Sequence, residues 1–344
     1  MPRANVVGVG IGYKTVGGEL VRDENDNLVE CIVVSVQQKV SPEQLSASDI
    51  IPERIMSMQT DVVETGPISI VAELSGETDA VAVDPKQRIR PILGGISTGL
   101  NPGITAGTIG LLVKKPNDPN DYILSNWHVL AGNNTPVSQR EVLTITQPGN
   151  FDGGRVANDV VAMLADFVPI QSGDDGGSQP SGCGTAAAVA WLPNLIASIV
   201  GSNTRLMPVV TTMAEGDNLV DAALGRVTVD FVREVAEIGV VEGVETAVLG
   251  MNVKKFGRTT SFTTGTITQI NATFSVQGYP GGPATFTDQI AITADSGTFL
   301  EGGDSGSSLI SEDNKVVGLC FAGSTAIGIA NRWEHVVAGL GIVL

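Results

Sequence analysis

From about residue 104 onward, the sequence is a long succession of short runs rich in β-branched residues, separated by turn residues. The runs read TAGTIGLLVKK, DYILSNW, REVLTITQ, DVVAMLADFV, RVTVDFV, GTITQINATFSV, DQIAITA and KVVGLCFAG, and clusters such as PNDPND, QPGNFDGG and GYPGGP separate them. Runs of this length that are rich in Val, Ile and Thr are typical of strands, and the intervening Gly, Pro, Asn and Asp favour turns. The pattern therefore predicts a mainly β fold, either a barrel or a sandwich.

Two stretches depart from the strand pattern. The run TAAAVAWLPNLIASI (185–199) predicts a helix within an insertion at about 171–216, beside the polar, Gly-rich run QSGDDGGSQPSG. Because proteases prefer flexible polar loops, that second run is a candidate cleavage site. The run RWEHVVAGLG (332–341) predicts a C-terminal helix that ends at Gly341.

Residues 1–72 predict a small α/β domain. The runs VVGVGIGYKTV and ECIVVSVQQKV are typical of strands, and SPEQLSASDIIPERI predicts a helix with Ser41 as N-cap and Pro42 at its first position. The GVGIG run matches a dinucleotide-binding loop only in part, and since no helix follows it directly, we interpret its glycines as strand residues. Residues 73–103, with several Pro and Gly, predict a linker and the entry to a second domain at 104–344.

The composition narrows the classes of partner and compartment. The chain has 344 residues, of which 42% are hydrophobic and 17% charged, and its formal net charge is −17. A surface of this sign repels polyanions, so we expect neither nucleic acid nor a membrane as a partner. Cys31 and Cys320 lie in apolar runs and are expected in buried strands, whereas Cys183 lies in a Gly-rich loop. Since neither a secretory signal nor an apolar run of about 20 residues is recognisable, we expect a cytoplasmic protein.

Three segments carry residue types that together suit nucleophilic catalysis. They are YILSNWHVLAG with His128, NLVDAALGRV with Asp221 and LEGGDSGSSLI with Ser305. A serine hydroxyl is a weak nucleophile and needs a base such as histidine within hydrogen-bond reach, and a carboxylate on the far ring nitrogen fixes the histidine tautomer. A tight glycine turn around the serine can aim backbone N–H groups at a developing oxyanion.

These segments, in the order His, Asp, Ser, resemble those of the chymotrypsin-like (trypsin-like) serine peptidases of bacterial type. LSNWHVLAG and NLVDAAL resemble the family's catalytic histidine and aspartate segments, and GGDSGSS resembles the nucleophile turn, with Ser307 in place of its second glycine. FGRTTSFTTGTIT resembles a segment of secreted bacterial members, and KVVGLCFAGS resembles the strand that pairs with substrate. The resemblance covers about 104–344 and implies two six-stranded antiparallel β-barrels.

The resemblance implies a role for each matched residue. Ser305 would attack the scissile carbonyl, His128 would transfer the proton, and Asp221 would orient His128. Three other carboxylates lie between His128 and Ser305 in sequence and remain alternatives for the acid: Asp159, Asp166 and Asp217.

The resemblance also predicts how the nucleophile turn is supported and where substrate binds. The N–H groups of Gly303 and Ser305 would form the oxyanion hole, and an ion pair between Asp304 and Arg258 would hold the turn, so that no N-terminal cleavage is needed for activity. Four residues are expected to line the bound peptide, the first of them at the floor of the specificity pocket: Phe299, Phe321, Ala322 and Gly323.

We therefore expect a serine endopeptidase that cleaves proteins or peptides through an acyl-enzyme and uses neither a cofactor nor a metal. Self-association through the N-terminal domain is an open option. One alternative is a catalytically retired or latent peptidase-fold protein that acts as a binding or regulatory module. Another is a regulated peptidase that processes itself.

Overall fold

The structure is a computed structural model that describes residues 5–47, 49–70, 83–103, 106–132, 142–173 and 217–344. Most of the described residues in regular structure are in strands, as the sequence predicts. The predicted helix at 185–199, Cys183 and residues 174–182 of the predicted cleavage site lie outside the described residues. None of the helices in these ranges is long and apolar enough to cross a membrane.

The helices of the described ranges are short: α1 (Trp127–Leu130), α2 (Val156–Asp159) and α3 (Trp333–Leu340), with 3-10 turns at Pro42–Gln44 and Asn150–Asp152. The strands are β1 (Val6–Tyr13), β2 (Thr15–Val16), β3 (Glu19–Leu20), β4 (Glu30–Val36), β5 (Arg54–Ile55), β6 (Met58–Glu64), β7 (Ile92–Gly94), β8 (Ser97–Asn101), β9 (Gly107–Thr108), β10 (Leu112–Lys114), β11 (Asp121–Ser125), β12 (Thr144–Thr146), β13 (Val160–Phe167), β14 (Asp217–Asn218), β15 (Ala223–Val227), β16 (Phe231–Val235), β17 (Gly239–Val240), β18 (Gly243–Val244), β19 (Asn252–Gly257), β20 (Ser261–Val276), β21 (Ala284–Ala294), β22 (Ser308–Ser311), β23 (Lys315–Gly323) and β24 (Gly328–Arg332).

One sheet closes on itself and is called the ring sheet below. Its strand order is β10-β11-β15-β13-β12-β8-β9, with every pair antiparallel. The two ends of this order, β9 and β10, follow one another in the chain. The residues between them hydrogen-bond to neighbours on either side: the Ile109 carbonyl accepts the Gly95 N–H at 2.6 Å, and the Gly110 N–H donates to the Leu124 carbonyl at 2.7 Å. Fully buried aliphatic residues such as Ile123 and Ile145 fill its interior.

The larger sheet contains 12 strands of the described chain and carries the C-terminal half. Six of them pair in the closed antiparallel cycle β19-β20-β21-β24-β23-β22. Helix α3 packs Trp333, Val336 and Leu340 into a core cluster shared with both sheets and ends at Gly341, whose φ of 62° suits glycine. The predicted C-terminal helix is therefore confirmed.

The N-terminal strands continue the larger sheet. Strand β1 pairs antiparallel with β20 and with β4, and β4 pairs parallel with β6. The glycines of β1 let the two backbones approach: a Cβ on Gly8 would lie 2.2 Å from the Phe274 ring, and one on Gly12 would lie 2.6 Å from the carbonyl oxygen of Thr268. The GVGIG run is thus a strand, as predicted from the sequence.

The expectation of a separate N-terminal α/β domain differs from the structure in two respects. Its strands share hydrogen bonds with β20, and within 5–47 and 49–70 the predicted helix after Ser41 is reduced to the 3-10 turn Pro42–Gln44. That turn buries no residue, so nothing offsets the entropy of extending a helix, and Pro52 further on disfavours helical backbone in the residue before it. The boundaries at residues 72 and 103 stay a prediction, since 71–82 and 104–105 lie outside the described ranges.

Candidate active site

His128 lies in α1, directly after strand β11 of the ring sheet. Asn126 follows the strand in extended conformation, and its side-chain amide donates to the carbonyl of Asp221 at 2.6 Å. The His128 side chain is 12% exposed. The end of β11 therefore fixes the imidazole beside Asp221 while leaving part of the ring accessible.

The Asp221 carboxylate is fully buried and contacts His128 twice. Its Oδ2 lies 2.6 Å from Nδ1 of His128, and its Oδ1 accepts the His128 backbone N–H at 3.2 Å. Because an ionised carboxylate only accepts hydrogen bonds, this geometry favours the proton on Nδ1 and leaves Nε2 as an acceptor. The side chain of Asn331 accepts the Asp221 backbone N–H at 3.0 Å and fixes the acid in turn. Such an imidazole can act as a general base.

The other carboxylates weighed from the sequence lie elsewhere. Asp159 pairs with Arg88 at 3.0 Å, and Asp166 pairs with Lys115 at 2.7 Å. Asp217 lies in β14, where burial raises the pKa of its carboxyl group above the usual value. Of the four candidates, Asp221 is the one that the fold brings to His128.

Tyr279 is a third member of this pair that the sequence did not reveal. Its hydroxyl donates to Oδ2 of Asp221, the oxygen that also faces His128, and its ring meets the imidazole edge-on with centroids 6.2 Å apart. The side chain is fully enclosed, and burial, followed by the charge of Asp221, raises the pKa of Tyr279 well above its usual value. Tyr279 therefore stays protonated and remains a donor to the carboxylate.

Ser305 lies in a turn that requires glycine on both sides. Gly303 and Gly306 have φ of 97° and 95°, and a Cβ on Gly306 would lie 2.1 Å from Oγ of Ser125. The Ser305 hydroxyl donates to the carbonyl of Phe321 at 3.3 Å. No hydrogen bond joins Ser305 to His128, both of which the structure describes.

Thr108 of the ring sheet fixes the turn by donating hydrogen bonds to two carbonyl groups of the turn. Its hydroxyl donates to the Gly303 carbonyl and its N–H donates to the Ser305 carbonyl, both at 2.8 Å. The N–H groups of Gly303 and Ser305 find no acceptor within the described part of the chain. Two donors on one turn are thus left for a ligand, which is what an oxyanion hole needs.

Asp304 is paired with a different cation from the one expected. The carboxylate is fully buried, accepts the N–H groups of Thr259 at 2.8 Å and Glu301 at 2.9 Å, and lies 3.5 Å from Nζ of Lys255. Lys255 is itself fully buried; burial lowers the pKa of its ammonium group and the charge of Asp304 opposes that shift. The predicted ion pair between Asp304 and Arg258 is therefore wrong, because strand β19 aims Lys255 at the turn.

Arg258 instead joins the two sheets. Its guanidinium forms a buried two-point pair with Asp152 of the ring-sheet side, Nε to Oδ2 at 2.8 Å and Nη2 to Oδ1 at 2.5 Å. It still supports the turn by packing, since a Cβ on Gly303 would lie 2.7 Å from Cδ of Arg258. The sequence placed Arg258 at the turn but gave no indication of Asp152.

The residues expected to line substrate lie on or near β23. Phe321, Ala322 and Gly323 are buried at the end of that strand. Gly323 exchanges two backbone hydrogen bonds with Ser69. Phe299 is buried beside β24, where a Cβ on Gly328 would lie 2.7 Å from its ring.

Comparison with known proteins found no matching family model and no matching curated protein. Among solved structures, the chain is similar to bacterial chymotrypsin-like serine proteases. Thermobifida fusca Protease A is 19% identical with a TM-score of 0.43, over 73% of this chain and 96% of that one. Cellulomonas bogoriensis chymotrypsin is 19% identical with a TM-score of 0.42, over 73% of this chain and 97% of that one. Nocardiopsis protease is 17% identical with a TM-score of 0.42, over 73% of this chain and 97% of that one.

Proposed function

We propose that the chain is a serine endopeptidase in which His128, Asp221 and Ser305 form the catalytic triad. The observation that carries this proposal is the buried Asp221 carboxylate 2.6 Å from Nδ1 of His128, on the side of the ring sheet that also holds the Ser305 turn through Thr108. The turn adds two backbone N–H groups without an acceptor in the described chain. This set of groups suits acyl transfer: a base, its orienting acid, a serine and an anion-stabilising pair.

In the proposed reaction, the Ser305 hydroxyl leaves the Phe321 carbonyl and attacks the carbonyl carbon of the scissile peptide bond. His128 Nε2 takes the hydroxyl proton and then delivers it to the leaving amine, while Asp221 and Tyr279 hold the imidazole. The N–H groups of Gly303 and Ser305 stabilise the tetrahedral oxyanion. Water then attacks the acyl-enzyme by the same proton transfers in reverse order.

A second candidate is a latent or retired peptidase fold that binds peptides without cleaving them. The bond from Ser305 to the Phe321 carbonyl favours it, since the hydroxyl is directed away from its base in this conformation. The complete His128–Asp221 pair and the unused N–H groups favour the active enzyme, and we keep the peptidase as the main proposal.

We further propose that the ring sheet and the cycle β19 to β24 are the two barrels of such a peptidase, with proteins or peptides as substrates. The domain at 104–344 and the insertion at about 171–216 belong to the same proposal. The two described cysteines, Cys31 and Cys320, are free and buried. This agrees with the reducing, cytoplasmic setting that we propose.

The proposal is tested by the acyl-enzyme itself. A small activated ester such as p-nitrophenyl acetate should give a burst of about one equivalent of nitrophenol per chain, followed by slower turnover. Ser305→Ala should abolish the burst, and Ser307→Ala, two residues further along the chain, should retain it. Equal, burst-free rates for the wild type and Ser305→Ala would contradict the proposal and favour the binding module.

A further inference from the structure

A short segment of the chain, Ile68–Ile70, is bound between two other parts of the larger sheet. On one side, Ser69 exchanges backbone hydrogen bonds with Gly323, N–H to O at 3.2 Å and O to N–H at 3.0 Å. On the other side, the backbone N–H of Gln277 donates to the Ile68 carbonyl, and the backbone carbonyl of Gln277 accepts the Ile70 N–H, both at 2.9 Å. The segment thus forms four backbone hydrogen bonds, two along each edge, although it lies outside the named strands.

The side chains of the segment are also accommodated. Ile68 is fully buried in a core cluster that contains Tyr279 and Phe321. Ile70 packs against Gly278, where an added Cβ would lie only 2.5 Å from Cγ1 of Ile70. Two apolar side chains and an extended backbone are what an open sheet edge recognises in an added peptide.

The segment runs towards the proposed nucleophile. It pairs antiparallel with Gly323, so its chain direction leads back along β23 towards Phe321. The Phe321 carbonyl, two residues before Gly323, is the acceptor of the Ser305 hydroxyl. Ser69 therefore occupies the edge of β23 at Gly323, two residues from the carbonyl that accepts the Ser305 hydroxyl, where a peptide that reaches Ser305 would extend.

We propose that Gly323 and Gln277 are the two edges of a peptide-binding groove, and that Ile68–Ile70 fills it as an internal competitor of substrate. The inference rests on the proposed peptidase function for its role, but the groove itself can be tested by binding alone. The partner that fits is an extended peptide with branched apolar residues at the positions of Ile68 and Ile70. Recognition is mainly through the backbone, with specificity from those two side chains.

The binding test uses Ser305→Ala protein, so that no bound peptide is cleaved. Ser69→Pro removes the N–H that donates to Gly323 and should release the segment, whereas Ser69→Ala keeps that N–H and is the matched control. A synthetic peptide of the sequence TGPISI, residues 65–70, is titrated against each protein, with a scrambled peptide beside it. An internal strand that fills the groove about 90% of the time weakens the apparent affinity of a competitor about tenfold.

We therefore expect the peptide to bind Ser69→Pro about tenfold more tightly than it binds the Ser69→Ala control. Ile70→Glu, a half-buried position, should act in the same direction and serves if the proline variant does not fold. Equal affinities for released and control proteins, or equal affinities for TGPISI and its scrambled form, would overturn the inference.

With Ser305 restored, the same variants separate this inference from the proposed function. The apparent KM for peptide substrates should fall about tenfold in Ser69→Pro, with kcat unchanged. Hydrolysis with the same KM in all variants would refute the internal competitor and leave the peptidase intact. Tighter peptide binding without hydrolysis in any variant would support the groove and refute the peptidase.

Discussion

The buried pair of Lys255 and Asp304 beneath the Ser305 turn should contribute measurably to stability. Nζ lies 3.5 Å from Oδ2 and both side chains are fully buried. At this separation the Coulomb attraction is about 5 kcal/mol for an effective dielectric constant of about 20. Lys255→Met removes the cation and leaves Asp304 with only its hydrogen-bond donors. We expect the free energy of unfolding to fall by about 3–5 kcal/mol, the usual cost of an uncompensated buried charge.

The assay is urea unfolding of the wild type, Lys255→Met, Asp304→Asn and the double variant. Because the second substitution removes the charge that the first one leaves unpaired, the double variant should lose at least about 1.5 kcal/mol less than the two single losses combined. Lys254→Met is the matched control, since the side chain of Lys254, next to Lys255 in sequence, is only partly buried and bonds to Asn314. A loss below about 1 kcal/mol in Lys255→Met would refute the claim that this pair holds the turn.

Three further predictions concern Tyr279, Thr108 and Cys320. Tyr279→Phe removes a donor to the Asp221 carboxylate, so kcat in a peptide assay should fall about 10- to 100-fold with KM unchanged, and a change below about twofold would contradict the positioning role. Thr108→Val leaves the Gly303 carbonyl without its donor, and urea unfolding should register a loss of about 1–3 kcal/mol; no loss would exclude Thr108 as the support of the turn. Burial raises the pKa of the Cys320 thiol from 9.0 to about 12. The folded state therefore favours the neutral thiol, and this contribution to stability is complete below about pH 9 and is lost as the pH rises through about 12. Cys320→Ala should reduce the alkaline fall in the free energy of unfolding by up to about 1.4 kcal/mol per pH unit. Parallel stability curves for the wild type and the variant would contradict this.

The strands and the order of the site residues were accessible from the sequence because both are local patterns. The run GTITQINATFSV alternates with period two and became part of β20, and the turn residues of GYPGGP follow it. The segments around His128 and Ser305 were recognisable because each combines a chemically specific residue with its local backbone setting, a strand end in one case and a glycine turn in the other.

The partners of the site residues were not accessible, since they depend on sheet register between distant segments. Tyr279 is 58 residues from Asp221 in sequence, and nothing local in GYPGGP marks its hydroxyl as a donor. Likewise, Lys255 lies in β19 and Arg258 directly follows that strand, and nothing local in the sequence shows that Lys255 pairs with Asp304 while Arg258 pairs with Asp152.

The expectation of a separate N-terminal domain differs from the structure for another reason. Its strand signals were correct, but the pairing of β1 with β20 is a long-range contact that composition cannot reveal. The glycines of the GVGIG run carried the missing information: Gly8 and Gly12 have no room for a side chain against β20. A strand of such glycines indicates close backbone approach by a neighbour, without identifying that neighbour.

Labelling of the folded protein with a fluorophosphonate probe, beside Ser305→Ala and His128→Ala, measures whether Ser305 is activated. We expect the wild type to gain one covalent adduct by intact-mass measurement, located on Ser305, and neither variant to be labelled at a comparable rate. An unlabelled wild type with a normal unfolding transition, or labelling that persists in Ser305→Ala, would contradict the proposed triad.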